Sequence, residues 1–369
     1  MRKRIFLDAY LAENLGDDLF LKIIIEHYQD IDFIIRTHKK EYKKNFLKNY
    51  SNVNIKIIPS KIIALKNRFS LFNRIYVSYI SKLEFDAFVV IGGSIFLQNI
   101  GSKELLNERK RLWKSLKKKN KKVFILGSNF GSFHTRSFLN EYKKLFKIIH
   151  DISFRDSASF EFFKDFTNVR LNPDIVFSLK LNLYKIRKRT LGISLVSLSK
   201  REELIRYEND YIDKIIEIIE HYTNQNYKVT LFSFCKHEGD EDIINLIFDK
   251  CKPECKKNIA THFYTGNLEY SLNEYSSMEK TIGSRFHSTV LSLALNKSHL
   301  SLAYSSKTTN MLSDLNLEDS VYLIKEISKL SIESVDEALN RNLNYLENIV
   351  TDAKNHFMKL DEFLLRSSI

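Results

Sequence analysis

Proline is almost missing from this sequence, at 3 of 369 residues, and glycine is sparse at 10. Disordered chains are poor in apolar side chains and rich in proline, glycine and charge. Here 44% of residues are hydrophobic, 12% are aromatic and 28% are charged, which excludes large unstructured tracts. Long apolar runs are missing too. No stretch approaches the roughly 20 apolar residues that a membrane-crossing helix needs. Residues 286–296, the longest apolar-looking segment of the C-terminal half, are too few and include His287, Ser288 and Thr289. The chain opens on a basic head, Arg2-Lys3-Arg4, but Asp8 and Glu13 break the apolar run behind it. A first β-strand is expected there rather than a secretion signal, and the protein is expected in the cytoplasm. Cysteine is limited to Cys235, Cys251 and Cys255. An odd count gives no disulfide framework, and the Cys251–Cys255 spacing does not suit a redox or zinc half-site. Reduced thiols and no metal site are expected.

What is present divides the chain in two. A length of 369 residues exceeds what one core commonly serves, so two domains are expected. Charge supports a division near residue 187. Residues 1–187 hold 36 Lys and Arg against 18 Asp and Glu, an excess of +18, whereas 188–369 are mildly acidic within a total of +13. The expected domains are therefore 1–187 and 188–369. The basic half favours anionic ligands or an anionic membrane face. Short apolar runs at 4–10, 31–36, 54–58, 87–91, 122–126 and 148–154 read as strands. Helical patterns fall between them at 19–27, 40–49, 104–118 and 135–145. The second half repeats the alternation, with strands at 190–195, 228–234, 259–263, 279–282 and 298–304. Strands alternating with helices predict βαβ units and parallel sheets. Residues 331–365 read as one long final helix or two.

The few glycines fall mostly at the ends of expected strands, where a backbone turns sharply or approaches a ligand. Gly92 and Gly93 follow the run Phe88-Val-Val-Ile91 and precede Ser94, a strand-to-loop transition that exposes backbone N–H groups. In open α/β sheets ligands bind beyond the carboxyl ends of strands. The densest constellation is Gly283-Ser-Arg-Phe-His-Ser-Thr289. Arg285 and His287 sit there between a strand end and a helix start, where partial positive charge favours an anion. Were the segment extended, alternation would put both side chains on one side; each could also be purely structural. Lys307 follows the strand at 298–304 and could hold a phosphate oxygen as a point charge, or lie in solvent. Asn14, Gly16 and Asp17 suit a tight turn and helix cap in the first strand-to-helix loop. Arg155 either pairs internally, with Asp156 capping the next helix, or points at a ligand, and Asn172-Pro-Asp174 reads as a turn. The basic run 109–122 is amphipathic, with Leu105, Leu112, Trp113 and Leu116 toward one side. It suits a solvated face or an anionic bilayer; no motif for nucleic acid accompanies it.

Taken in order, Asn14-Leu-Gly-Asp-Asp18, Ile91-Gly-Gly-Ser94, Leu126-Gly-Ser128, Phe154-Arg-Asp156, Asn172-Pro-Asp174, Ser284-Arg-Phe-His-Ser288 and Tyr304-Ser-Ser-Lys307 make the chain resemble the polysaccharide pyruvyl transferases. The resemblance implies an α/β, GT-B-like fold: two Rossmann-like domains facing a cleft, here with a long C-terminal helical segment. It implies a transferase that moves pyruvate from phosphoenolpyruvate onto a sugar of a cell-surface polysaccharide, of capsule or exopolysaccharide kind, or onto its precursor, forming a ketal. Phosphoenolpyruvate is then a donor substrate and no separate cofactor is called for. The implied partners are phosphoenolpyruvate, a free or lipid-linked saccharide and an anionic membrane surface, with no nucleic acid, so the cytoplasmic location extends to peripheral contact with the inner face of the membrane. Carried onto this sequence, the resemblance assigns catalysis to His287, Arg285 and Arg155. Places at strand ends and in the first strand-to-helix loop make Lys307, Ser288, Asn14, Asp17, Gly92, Gly93 and Ser94 the expected substrate-binding residues. Two other readings stay open. One is a glycosyltransferase of the same architecture using a nucleotide sugar, for which Glu269 after Gly266 could serve. The other is a non-catalytic assembly protein at the membrane.

Overall fold

The computed structural model describes residues 2–37, 39–58 except 44, 70–180, 185–341 and 347–366. The chain forms two compact units. The first comprises Met1–Leu11, Phe20–Ile175 and Thr351–Ile369; the second comprises Ala12–Leu19 and Val176–Val350.

The first unit is built on seven parallel strands: β1 (Arg4–Ala9), β2 (Asp32–Thr37), β3 (Val53–Ile57), β4 (Ala87–Ile91), β5 (Lys122–Ser128), β6 (Asp151–Phe154) and β7 (Val169–Leu171). Their order is β3-β2-β1-β4-β5-β6-β7. All five residues of β4 are buried, which is why that strand reads as an unbroken apolar run rather than an alternation. The core on one face gathers Phe88, Phe96, Phe130, Tyr142, Phe146 and Phe163 with Trp113 and Leu116 from the helix Ser102–Lys118. The amphipathic reading of that helix needs one change: Leu106 faces the core, while Leu105 is 42% exposed.

The second unit has six parallel strands: β8 (Arg187–Ser194), β9 (Lys228–Ser233), β10 (Ile259–Phe263), β11 (Met278–Gly283), β12 (Ser298–Ala303) and β13 (Val321–Leu323), in the order β10-β9-β8-β11-β12-β13. Each sheet steps outward from its first strand and then reverses to the other side. That is the doubly wound Rossmann order, with a switch point between β1 and β4 and another between β8 and β11. Leu191, Ile193, Val229, Leu231, Ile282 and Leu300 supply the sheet side of a core closed by Ile215, Ile219 and Tyr222 from the helix Glu208–Asn224.

Some sequence expectations change. A single cut at 187 does not describe the units, because the chain returns to the first one at its end. There Tyr28 donates to Asp361 at 2.6 Å, His27 stacks on Phe357, and Phe363 packs on Phe124. The C-terminal segment is not one or two long helices but the short helices Ile332–Asn340, Glu347–Lys354 and Met358–Arg366, with 342–346 outside the described residues. The helix expected at 40–49 is instead two single 3-10 turns, Lys40–Lys43 and Phe46–Asn49, the second opened by Asn45, whose side chain caps Leu47. Among the described residues no helix is long and apolar enough to cross a membrane.

Candidate functional site

In the second unit the carboxyl ends of β8, β9, β11 and β12 gather a cluster of charges. Arg285 follows β11 with extended backbone (φ −84°, ψ 135°) and caps the helix Phe286–Ala294. Because that helix starts at Phe286, Arg285 and His287 do not alternate along a strand, and the two side chains take separate paths. The Arg285 guanidinium is buried. Its Nε donates to Asp240 Oδ2 at 3.0 Å, Nη2 donates to Asp240 Oδ1, and Nη1 donates to Glu238 Oε2. Asp240 is fully buried at the start of the helix Asp240–Lys250 and also accepts the backbone N–H groups of Phe234 (3.0 Å) and Cys235 (2.9 Å). Burial raises the Asp240 pKa, and the guanidinium and two amides oppose that rise. Glu238 goes the other way: burial would raise it, but Arg285, Arg201 and Lys307 hold it below the ordinary carboxylate range. Burial likewise disfavours the Arg285 cation, yet the two carboxylates more than offset this and raise its pKa. Glu238 also joins Arg285 to Arg201, whose Nη2 lies 2.9 Å from Oε2.

His287 takes a different neighbour. A Cβ placed on Gly16 would lie 1.8 Å from His287 Nδ1, so the imidazole is seated against the Gly16 backbone. Only glycine permits that approach. The helix start bearing Gly16 is fixed within this unit: Leu15 N donates to Phe234 O at 2.9 Å, and Asn14 bridges to Cys235. Asn14 Oδ1 accepts the Gly16 N–H at 2.9 Å, the capping turn expected from sequence. Asp17 is half-buried in the first turn of the helix Leu15–His27, and Tyr264 donates to buried Asp18 at 2.5 Å. Lys307 lies in the first turn of the helix Ser306–Asp314, its Nζ 5.8 Å from the ring centres of both Phe286 and Tyr304. Ser288 is fully buried and donates to the Arg285 carbonyl at 2.6 Å, so it positions Arg285 and offers no surface to a substrate.

In the first unit the ends of β4, β5, β6 and β7 bring four of the sequence motifs together. Arg155, just past β6, is buried; Nη1 donates to Asp174 Oδ2 and lies 2.7 Å from it. Nη2 donates to Asn129 Oδ1 at 2.8 Å, and Ser94 Oγ donates to the same oxygen at 3.0 Å. Gly92 has φ +142°, and a Cβ on Gly93 would come within 2.9 Å of the Arg155 guanidinium, so both positions require glycine. Asp156 caps the next helix by accepting from Ser159 N at 2.7 Å, as expected; the ion partner of Arg155 is Asp174. From sequence alone Asp174 reads as part of a turn.

The structure therefore collects Arg285 and Lys307 around Glu238, and His287 with Asn14 and Asp17 around Gly16. It collects Arg155 with Gly93 and Ser94 in the other unit. Sequence reasoning passed over Asp240, Glu238, Arg201 and Asn129. The available signal was Glu238-Gly-Asp240, two acids around one of only 10 glycines, between a strand end and a helix start.

Among solved structures, the chain is similar to UDP-GlcNAc 2-epimerase from Methanocaldococcus jannaschii, at 12% identity and a TM-score of 0.63, over 98% of this chain and 100% of that one. It is similar to UDP-GlcNAc 2-epimerase from Neisseria meningitidis bound to UDP-GlcNAc, at 10% identity and a TM-score of 0.59, over 98% and 100%. It is also similar to Anabaena HepE in complex with UDP, at 12% identity and a TM-score of 0.59, over the whole of both chains. These likenesses establish the GT-B-like fold. The chain matches no curated protein sequence. Residues 14–306, which hold every residue of these clusters except Lys307, match the family model for polysaccharide pyruvyl transferase, and the chain belongs to that family.

Proposed function

We propose that this protein transfers the pyruvyl group of phosphoenolpyruvate to two hydroxyls of a saccharide, forming a ketal and releasing phosphate. The observation that carries the reading is the seating of Arg285 and His287 at the strand ends of the second unit, within the matched family region. Arg285 is locked by Asp240 and Glu238, while His287 is held against Gly16. Phosphoenolpyruvate carries a phosphate and a carboxylate, so fixed cations are needed where negative charge develops. Lys307 supplies a point charge. Arg285 supplies a rigid one, with guanidinium N–H groups left over beyond the three used on the carboxylates. His287 is the proton carrier: as imidazolium it gives a proton to C3 while a saccharide hydroxyl bonds to C2, and as imidazole it takes one back from the second hydroxyl. In the first unit the reading assigns Arg155 the anchoring of the Gly92, Gly93 and Ser94 loop, whose N–H and hydroxyl groups suit an oxygen-rich substrate. The proposed acceptor is a precursor of a cell-surface polysaccharide, free or lipid-linked, met in the cytoplasm, and no separate cofactor takes part.

Thermal-shift titration separates this from a nucleotide-sugar donor. Phosphoenolpyruvate is expected to raise the melting temperature while UDP-sugars do not, and Arg285→Lys is expected to weaken the response by removing the planar fork. A shift with UDP-sugars alone would replace the donor.

A further inference from the structure

Tyr304 belongs to neither role so far assigned, yet it stands where the charges meet. It follows β12 directly and precedes the helix that carries Lys307, and its ring is half-buried. The Arg201 guanidinium carbon lies 4.8 Å from the ring centre, and Lys307 Nζ lies 5.8 Å from it. Arg201 is no free surface cation. It is tied to Glu238, and its Nη1 donates to the Ser197 carbonyl, so its position over the ring is fixed. The charged groups acting on the phenol are Lys307, Arg285, Arg201 and Glu238, three cations against one carboxylate. Cations so placed favour the phenolate more than water does. Burial opposes ionisation, but Lys307, Arg285 and Arg201 bring the Tyr304 pKa below its ordinary value.

We infer that Tyr304 is a catalytic residue, the base that takes the proton of the attacking saccharide hydroxyl. The inference rests on the pyruvyl-transfer reading. In the first step the hydroxyl O–H breaks toward the phenolate oxygen, and its electron pair forms the bond to C2. The C2–C3 π pair takes the proton of the His287 imidazolium, making C3 a methyl group. In the second step the C2–O bond to phosphate breaks with its pair and the second hydroxyl bonds to C2. That hydroxyl's proton restores the imidazolium, and the phenol's proton leaves on the phosphate. The sum is one ketal and one hydrogen phosphate, with both side chains returned to their starting forms. Arg201 and Lys307 favour the phenolate form of Tyr304, so Arg201 is a positioning residue through its effect on the phenol.

The test uses the full chain and Tyr304→Phe, with melting temperature confirming that the variant folds. Ultraviolet titration of phenolate absorbance, without substrate, is expected to show one tyrosine ionising below the rest in the wild type and absent from Tyr304→Phe. Arg201→Met should move that titration upward. With phosphoenolpyruvate and an accepted saccharide, Tyr304→Phe should lose about 10²-fold in kcat at nearly unchanged KM for the donor. Identical titration curves, wild-type kcat, or a loss confined to donor KM would each overturn the assignment. A wild-type enzyme that releases no phosphate from phosphoenolpyruvate with any saccharide would instead sink the donor reading and take this role with it.

Discussion

Arg285 and its partners show how far single residues could be read. The arginine itself stands out at a strand-to-helix junction, but the carboxylates that fix it lie 45 and 47 residues away, and no local pattern pairs them. A buried arginine is tolerated only when paired, so a partner was implied, though not which one. The same holds for Arg155 and Asp174, 19 residues apart. Buried histidines were equally silent in the sequence. His356 is fully buried, its Nε2 donates to Pro173 O at 2.7 Å, and its Nδ1 has no partner among the described residues. Burial pulls its pKa down from 6.5 to about 3, and does the same to His299, which bonds to Thr281 and Thr289. The folded chain thus refuses protons that the unfolded chain accepts below its own histidine pKa. Stability is full above that value and falls as pH drops through the window between 6.5 and about 3. Each histidine is expected to cost roughly 2 kcal/mol on going from about pH 7 to about pH 5. His356→Gln keeps a donor for Pro173 and removes one titration, so melting temperatures across that range should fall less steeply. A slope equal to that of the wild type would show that His356 protonates freely in the fold.

Among the elements, strands buried on both faces were legible because their apolar runs are continuous; 87–91 was read to the residue as β4. The short edge strands β7 and β13, three residues each, carry too few side chains to make a pattern. Residues 40–49 have helical spacing yet form two separate turns, a case of context overriding local preference. The strand-to-helix junction at 12–19 reads as an ordinary capped turn, and capping does account for Asn14. Its further duty, making room for His287, is invisible without the second unit's geometry. Gly16→Ala tests that duty. Alanine suits a helix better than glycine, so local preference alone predicts a stable, active variant. The added Cβ, however, would meet the imidazole at 1.8 Å, so the ring must shift. Turnover is expected to fall at least ten-fold, the scale of a small misplacement at a reacting group, with melting temperature nearly unchanged. Wild-type turnover would show that the placement of His287 is not critical.

For the whole molecule, parallel sheets and a basic first half followed directly from periodicity and composition, and the Rossmann-like winding of both sheets from the family resemblance. The crossing of residues 12–19 and 351–369 between units did not, because it depends on where chain ends pack. The helix Ser102–Lys118 buries Trp113 and leaves Lys103, Arg111, Lys114, Lys117 and Lys118 exposed, a face with charge but no aromatic anchor. Each basic residue near an anionic surface contributes about 1 kcal/mol, screened by salt. Flotation should therefore show binding to anionic vesicles at low salt, lost at high salt, and none to neutral vesicles. Equal partitioning to both would leave the face as ordinary solvated surface. The central claim is chemical, and phosphate release tests it most directly. Incubated with phosphoenolpyruvate and a panel of free and lipid-linked saccharides, the protein is expected to liberate phosphate with at least one acceptor. His287→Ala, folded by its melting curve, is expected to do so about 10²-fold more slowly. Release by the folded variant at the wild-type rate, or no release by the wild type with any acceptor, would contradict the account.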